Sequence, residues 1–478
     1  MEEKHIAAID LGSSKFALAV AKVSGDNVQV IYYRETPADG IRNSKVFNPM
    51  KVTRPLRKAI QEAEEELKIK ILQVVVGLPR YSIVQETATG AMQRVNPQEY
   101  ITFEEVQLLK ENAQNAYPLD NEAVEEIYGA VAQSFSTPEE IQLPEDDVIG
   151  TLGDSIEGNF KIFIGNRNAT VTIDKVFNDL KIAIAKKYFL PDVTAKVVLT
   201  QEEMRNGVAL VDFGAGVTSV CVYHGGIMRH FASIPFGGKT ITNDLRIECG
   251  ISEDLAENIK KAYGACMPNR LASLSEKVLQ IRYDNSPYKE VTVKYISEII
   301  DARAREIIDA VLYEIQESNF CDALRSGIVL TGGGANLTNF ANLMKEVSGY
   351  NVRFGRPLHL FSASGCVGLC NPEATAAIGM IMAAKGENMP DCVSAPEYVA
   401  PEIIVETPVT PVVETPVVDA PVMETPAVED TVFNPEPAAK PEQGTKTGEV
   451  KPGGIQLLWK KLMKGVSDIA DQASKEVI

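Results

Sequence analysis

Two short stretches of the chain place a carboxylate directly before a glycine turn. In the first, IAAIDLGSSKFALAVAK at residues 6–22, an apolar run ends at Asp10, and Gly12 follows before a second apolar run. The stretch VALVDFGAGVTSVCVY at residues 208–223 repeats this pattern with Asp212. Glycine lets backbone N–H groups approach phosphate oxygens closely, and an aspartate can hold Mg²⁺ through a bound water, since this ion keeps much of its hydration. Two such hairpins predict two related halves that face each other across a phosphate site.

A third glycine turn follows another apolar segment. The stretch LTGGGANLTNF at residues 330–340 comes after a predicted strand at 328–330 and before a helical pattern. Such a turn can press peptide backbone against a flat base, or against an α-phosphate at the helix N-terminus. Each turn alone has a purely structural explanation, but the three together predict one nucleotide cleft between two lobes.

Composition and residue spacing argue against several other kinds of site. The formal net charge of -18 argues against nonspecific nucleic-acid binding, which demands a basic surface. The four histidines lack the spacing of metal ligands, and the seven scattered cysteines include no CxxC pair, as expected for reduced thiols in the cytosol. The sequence contains neither the apolar core of a signal peptide nor an apolar run of about 18 residues that would predict a membrane span.

An alternation of strands and helices up to about residue 386 must position these turns. Buried strands are predicted at 72–79, 208–213 and 327–334, and helices at 55–69, 177–188 and 298–315. This alternation predicts α/β layers with a substantially parallel sheet. The length of 478 residues indicates several domains.

The composition changes over residues 387–452. This segment holds 12 of the chain's 26 prolines, and its 13 Asp and Glu against 3 Lys give a local charge of about -10. It cannot bury enough apolar area to offset the entropy of ordering, so we expect a disordered, extended linker. The alternative is an edge strand or a packed tail.

A short amphipathic helix is predicted at 453–478. Its apolar arc contains Ile455, Leu458, Trp459, Leu462, Met463 and Val466, and Lys460, Lys461 and Lys464 lie on the other side. An apolar face with the only tryptophan and lysines opposite fits the interface of an anionic bilayer. Docking on the protein's own core or in a partner's groove is the alternative.

These motifs resemble those of the actin, heat-shock chaperone and sugar-kinase superfamily. AIDLGSSKFALAV is similar to its first phosphate loop, ALVDFGAGVTSVCVY to its second, IVLTGGGANL to its adenosine loop and PEATAAIGMIM at 372–382 to its late connecting helix. More narrowly, the chain resembles the FtsA family of bacterial cell-division proteins over essentially its whole length. The marks of that family are DLGSSK, LTQEEMRNGVALVDFGAG, GGKTITNDLRIECGISEDLAENIKKAYG at 237–264 and the amphipathic C-terminal helix on a linker.

The resemblance implies an actin-like, two-lobed fold that binds ATP and Mg²⁺, with Asp10 and Asp212 orienting the ion through water. The nucleotide-binding residues carried over by position are Asp10, Gly12, Ser13, Ser14, Lys15, Asp212, Gly214, Gly216, Thr218, Gly237, Gly238, Glu257, Lys260, Gly332, Gly333 and Gly334. Glu257 and Lys260 match ribose and adenine contacts, and their alternative is a solvated surface ion pair. No residue supplies an unambiguous general base, so the catalytic residues are unassigned and weak ATP hydrolysis at most is implied.

The resemblance also implies a division of the chain into subdomains. Subdomain 1A would comprise 1–82, 164–206 and 371–386, and an inserted, SHS2-like subdomain called 1C would comprise 83–163. Subdomain 2A would comprise 207–240 and 327–370, and subdomain 2B would comprise 241–326. Within the insertion, a helix is expected at 100–116 and a return strand at 158–166.

The partners implied are the C-terminal tail of the tubulin-like protein FtsZ, other division proteins, further copies of the chain in a filament and an anionic membrane. The FtsZ tail would bind 2B, where Arg303 is either a contact or a surface charge, and later division proteins would bind 1C. Such a protein would lie at the cytoplasmic face of the inner membrane at the division site and anchor FtsZ filaments there.

Other members of the superfamily offer alternative functions. A sugar or acetate kinase would use the same cleft, but the sequence shows no second substrate constellation. A heat-shock chaperone would need a β-rich domain after residue 390. The pilus-assembly protein PilM shares the insertion but normally lacks the long linker and the amphipathic end.

Overall fold

The computed structural model describes residues 3–281, 289–358 and 360–394. The predictions for the linker from residue 395 onward and for the amphipathic helix, with its membrane-binding residues from Ile455 to Val466, lie outside the described residues. Among the helices of the described ranges, none is long and apolar enough to cross a membrane.

Strands and helices alternate along the described chain. Before the insertion they are β1 (Lys4–Leu11), β2 (Lys15–Ser24), β3 (Asn27–Pro37), β4 (Ile41–Arg42), β5 (Lys45–Val46), α1 (Pro49–Leu67), β6 (Lys70–Ile71) and β7 (Gln73–Gly77). The insertion contains β8 (Val84–Gln93), α2 (Phe103–Ala116), β9 (Glu125–Ser136), α3 (Glu145–Val148) and β10 (Ser155–Asn166).

The elements after the insertion complete both lobes. They are α4 (Arg167–Leu180), β11 (Ala183–Tyr188), α5 (Leu190–Val198), α6 (Gln201–Asn206), β12 (Val208–Phe213), β13 (Thr218–His224), β14 (Ile227–Ile234), α7 (Gly238–Cys249), α8 (Glu253–Tyr263), β15 (Val278–Ile281), β16 (Lys289–Thr292), α9 (Val293–Glu317), β17 (Ile328–Thr331), α10 (Phe340–Ser348), β18 (Val352–Phe354), β19 (Ser362–Ala363), α11 (Thr375–Gly386) and β20 (Val393–Ser394).

The sheet of the first lobe has the strand order β11-β7-β1-β2-β3-β19. Strands β1, β2 and β3 form an antiparallel meander, and β7 and β11 continue the sheet in parallel with β1. Successive side chains of a strand face opposite sides, so Ile6 and Ala8 join a core with α5 and α11, while Ala7 and Ile9 join a core with α1 and α4. Asp10 follows this doubly buried segment.

The sheet of the second lobe repeats this topology. Its order is β14-β13-β12-β17-β18, with an antiparallel meander of β12, β13 and β14 and with β17 and β18 parallel to β12. The order therefore matches β3-β2-β1-β7-β11 strand for strand. The two related halves predicted from the glycine hairpins are confirmed.

Two smaller units are attached to the lobes. The insertion is an antiparallel sheet of order β8-β10-β9 with α2 packed on it, and Leu109, Phe135 and Phe160 lie in its buried core. The helix α2 and the return strand β10 both agree with the predictions for this insertion. The second unit belongs to the second lobe and is formed by α7, α8 and α9. Helix α7 packs against α8 and α9, and α8 lies beside the end of β12.

Three predictions about local structure are wrong. The helix predicted at 177–188 ends at Leu180, where Lys181 turns left-handed with φ 60°, and residues 183–188 form β11 because they pair with β7. The two main sheets are mixed rather than substantially parallel, because each begins with a three-stranded meander. The linker does not begin at residue 387: Val393 and Ser394 pair with β6, and Cys392 is fully buried in the core of the first lobe.

Candidate functional site

A cavity of about 450 Å³ opens between the two lobes where β1 and β12 end. Its volume falls in the range of small-molecule sites, about 300–1,000 Å³. Fourteen of the sixteen residues predicted to bind nucleotide line it: Asp10, Gly12, Ser13, Ser14, Lys15, Asp212, Gly214, Gly216, Gly238, Glu257, Lys260, Gly332, Gly333 and Gly334. The two predicted residues outside this lining are Thr218 and Gly237.

The first hairpin brings hydroxyls and an amine to the cavity. Its strands pair as far as Leu11 and Phe16, and a Cβ on Gly12 would lie 2.6 Å from the carbonyl oxygen of Lys15, so this tight turn requires glycine. The hydroxyl of Ser13 accepts a hydrogen bond of 3.0 Å from the N–H of Ser44. The amine of Lys15 lies 2.6 Å from the carboxylate of Glu35.

The second hairpin presents backbone rather than polar side chains. Its turn is closed by a hydrogen bond of 3.0 Å from the N–H of Gly214 to the carbonyl of Val217. A Cβ on Gly216 would lie 2.8 Å from Oγ of Ser13, so the two hairpins approach each other across the cleft. This turn therefore lines the cavity with backbone and small or apolar residues.

Thr218 and Gly237 support the second hairpin from outside the cavity. Thr218 is fully buried, and its hydroxyl donates to the carbonyl oxygen of Phe236 at 2.8 Å. A Cβ on Gly237 would lie 2.5 Å from the carbonyl oxygen of Ala215. The positions of Thr218 and Gly237 do not support their predicted ligand contacts, because the hydroxyl of Thr218 is bound to the main chain and Gly237 packs against the hairpin.

Glu257 and Lys260 lie on one side of α8 at the cavity wall. The amine of Lys260 is 2.7 Å from the carboxylate of Glu257 and donates to the carbonyl of Gly238 at 2.8 Å. Burial acts to raise the pKa of Glu257, but the charge and hydrogen bond of Lys260 outweigh it, so this pKa lies below its ordinary value. With only 13% of the Lys260 side chain exposed, the pair is not the solvated surface pair considered as an alternative.

The third glycine turn lies against the end of β12. Gly332 has a left-handed φ of 83°, and a Cβ on Gly334 would lie 2.7 Å from the ring of Phe213. The hydroxyl of Thr331 fixes the start of the turn by donating to the carbonyl of Pro372 at 3.1 Å. This close packing leaves the peptide backbone of the turn at the cavity surface.

Arg80 lines the cavity although no sequence motif singles it out. Its Nη1 lies 2.5 Å from Oδ2 of Asp212 and its Nη2 lies 3.3 Å from Oδ1 of Asp10. Burial raises the pKa of Asp10, and the charge of Arg80 opposes that rise. Arg80 follows β7, which is parallel to β1, and the carboxyl ends of parallel strands share one edge of a sheet. That position after a buried strand was the only available sequence signal.

Further lining residues were not among the predicted ligands. Ser44 lies outside every motif, whereas four others lie within the motifs but were not singled out: Lys261, Asn336, Thr338 and Glu373. Glu373 lies 3.5 Å from the amine of Lys15, so this lysine stands between two carboxylates.

Asp10 and Asp212 have the chemistry that Mg²⁺ requires but not the free space between them. The ion is commonly held by one or two carboxylates and retains several waters. Here the guanidinium of Arg80 contacts both oxygens of Asp10 and one of Asp212. An ion bound directly between the two carboxylates would have to displace Arg80, so the arrangement does not fit direct coordination there. The predicted water-mediated site stays a prediction.

Arg303, the candidate FtsZ contact, is held within its own subdomain. Its Nε and Nη2 lie 2.5 and 3.1 Å from the carboxylate of Asp244, and its Nη1 lies 2.5 Å from Glu306. About a quarter of its side chain is exposed. It is thus a member of a partly exposed ion-pair network, and its role toward a partner stays a prediction.

The repeated sheet topology and the cavity between the lobes define an actin-like, two-lobed protein. The fold is similar to that of a solved structure titled PilM-PilN type IV pilus biogenesis complex, with a TM-score of 0.54 and 16% sequence identity. The match covers 79% of this chain and 98% of that chain. At this identity the likeness supports the fold alone.

Sequence comparison narrows this class. A family model described as Cell division protein FtsA matches residues 209–379. The Cell division protein FtsA of Neisseria meningitidis is 28% identical over 386 residues, which cover 80% of this chain and 91% of that relative. The protein of the same name from Pseudomonas aeruginosa is 26% identical over 386 residues, with 79% and 89% covered. The predicted resemblance to FtsA is confirmed, and these similarities support an actin-like cell-division protein.

Proposed function

We propose that this chain binds ATP between its lobes, polymerises at the cytoplasmic face of the membrane and anchors FtsZ filaments there during division. The observation that carries the proposal is that two Asp-x-Gly hairpins, the Glu257–Lys260 pair and the third glycine turn line one cavity. The similarity to relatives named as cell-division proteins supports the cellular process.

The phosphates would lie between the two hairpins. The first would bind them through backbone N–H groups, the hydroxyls of Ser13 and Ser14 and the amine of Lys15, and the second through the backbone at Gly214 and Gly216. Helix α8 would place Glu257 and Lys260 at the ribose and the adenine, with the third glycine turn under the base. Backbone N–H groups at glycine can approach phosphate oxygens closely. The charged side chains of Glu257 and Lys260 can form charge-assisted hydrogen bonds with the nucleoside.

Nucleotide binding would be coupled to assembly through the two lobes. A ligand that contacts both lobes favours the interlobe geometry to which it binds better, which shifts the population toward that state. The insertion spans the lobes as well: the side chain of Gln133 donates to the carbonyl of Met228 at 3.0 Å, and that of Gln85 accepts from the N–H of Phe231 at 3.1 Å. We expect interlobe movement to reach the insertion, where subunits and later division proteins would bind.

The C-terminal helix would bind anionic lipid through its apolar arc and lysines. A single short helix binds a bilayer weakly, but many copies along one filament multiply the effective affinity. FtsZ filaments would be held at the membrane through their C-terminal tails, which would bind subdomain 2B. To contact the guanidinium of Arg303, such a tail would have to compete with the carboxylate of Asp244.

Cosedimentation with anionic vesicles tests this proposal. The full chain should sediment with the vesicles when ATP is present, whereas a chain truncated before Gly453 and the variant Trp459→Glu should lose most binding, about tenfold or more, because a charge replaces the apolar anchor. Trp459→Phe is the matched control and should retain binding.

Two outcomes would contradict separate parts of the proposal. If the truncated chain sedimented with the vesicles as well as the full chain does, the tail would be excluded as the membrane anchor. If the full chain sedimented equally with and without ATP, nucleotide-coupled assembly would be excluded. Phosphoryl transfer to a small acceptor would instead support the kinase alternative.

A further inference from the structure

We propose that Arg80 is a built-in cation of the cavity, which lets it hold a nucleoside polyphosphate without a divalent ion on Asp10 and Asp212. This inference rests on the proposed nucleotide binding and concerns how the same site is neutralised. The guanidinium spans the lobes, because Asp10 belongs to β1 and Asp212 to β12. It stands where the two phosphate hairpins converge.

The backbone around Arg80 is fixed by the short hairpin of β4 and β5. The N–H of Arg80 donates to the hydroxyl of Ser44 at 3.1 Å, and the N–H of Ser44 donates to Ser13 at 3.0 Å. The next residue, Tyr81, has its ring 5.3 Å from the amine of Lys45. Only a reorientation of the Arg80 side chain would therefore clear the space between the aspartates.

The guanidinium can serve the carboxylates and a phosphate at the same time. Arginine has five N–H donors in a rigid fork and stays protonated. The contacts to Asp10 and Asp212 involve its two terminal nitrogens, so donors remain for an anion in the cavity. Only 16% of the side chain is exposed, which strengthens its charge-assisted hydrogen bonds.

The charge of the lining also depends on Arg80. The basic residues of the lining are Lys15, Arg80, Lys260 and Lys261, and the acidic ones are Asp10, Asp212, Glu257 and Glu373. Without Arg80, two unpaired carboxylates would face a polyphosphate, and a divalent ion would be needed between them. With Arg80 present, an ion that took the carboxylates would deprive a buried guanidinium of its two carboxylate partners, which is unfavourable.

Titration of a fluorescent ATP analogue in excess Mg²⁺ and in EDTA tests the inference. The affinity of the unaltered chain should differ by less than about threefold between the two buffers, whereas Arg80→Gln should lose about tenfold or more in EDTA, because it removes a charge-assisted donor. Mg²⁺ should restore most of the affinity of Arg80→Gln. Arg80→Lys, which keeps the charge, should show a weaker ion dependence than Arg80→Gln.

Arg34→Gln is the matched control. Arg34 also stands between two carboxylates, 2.9 Å from Glu62 and 3.0 Å from Glu66, but on the surface away from the cavity lining. This variant should titrate like the unaltered chain in both buffers. Thermal unfolding with Mg²⁺ alone provides a second readout: the ion should stabilise Arg80→Gln, whose two aspartates are freed, and leave the unaltered chain unchanged.

The unaltered chain alone can overturn the inference, whatever the variants do. A loss of more than about tenfold in its affinity on removal of Mg²⁺ would show that the ion, not Arg80, neutralises the site. Absence of binding in both buffers would refute the proposed nucleotide binding, and this inference with it.

Discussion

The two glycine hairpins share a backbone design but differ in the side chains that they bring to the cavity. A Cβ on Gly12 would lie 2.6 Å from the carbonyl of Lys15, and one on Gly214 would lie 2.8 Å from the carbonyl of Val217, three residues on in each case. Only the first hairpin lines the cavity with hydroxyls and an amine. In the second, the hydroxyl of Thr218 turns away to the main chain. The repeat thus preserves the turn geometry, while only the first of the two turns brings polar side chains to the cavity.

The largest expected effect comes from breaking the shared geometry. Gly12→Ala and Gly214→Ala should each lower the free energy of unfolding by about 1–3 kcal/mol, because the added methyl overlaps a backbone carbonyl that cannot move aside. Both should also weaken nucleotide binding by about tenfold or more, since the turn must open. Denaturant unfolding and nucleotide titration measure the two effects.

Gly386→Ala is the control for these two substitutions. A Cβ at Gly386 meets nothing within 4 Å, so this variant should stay within about 0.5 kcal/mol of the unaltered chain. If one hairpin glycine tolerated alanine while the other did not, the two turns would not share one design.

A second pair of variants sharpens the difference between the hairpins. Lys15→Ala should weaken nucleotide binding by about tenfold through loss of a cationic donor, with stability changed by less than about 1 kcal/mol because its ion pair with Glu35 is partly exposed. Thr218→Val should do the reverse, with a loss of about 1–3 kcal/mol in stability from the hydrogen bond of a fully buried threonine and little change in affinity. Equal losses of affinity in both variants would contradict the asymmetry.

The smallest effect concerns Glu257, on the wall that both hairpins adjoin. Its folded-state pKa lies below the ordinary value of 4.5, so its contribution to stability is present above that pH and is lost as pH falls through the folded-state pKa. Glu257→Gln should therefore flatten the decline of the unfolding temperature at acid pH. Glu65→Gln, at an exposed position of α1, should leave the decline unchanged, and an unaltered decline in Glu257→Gln would contradict the pKa argument.

Local sequence predicted much of the cavity and missed the residues that depend on neighbouring strands. The glycine turns are encoded by consecutive residues, so their lining positions followed from the motifs. The error at 177–188 arose because Phe177, Leu180 and Ile184 have helical spacing, whereas pairing with β7 makes the second half a strand. The error at residue 387 has the same origin, since the burial of Cys392 depends on its contacts with the first lobe.

The sequence by itself determined the two hairpins, because the need for glycine at Gly12 and Gly214 comes from steric contacts within four residues. Only the tertiary structure decided that Arg80 lies between Asp10 and Asp212, which are 70 and 132 residues away along the chain. It also decided that Thr218 faces inward, because the acceptor of its hydroxyl lies 18 residues further on. The physical reason is range: backbone sterics act between neighbours in the sequence, whereas charge pairing and burial are set when distant strands meet at one edge.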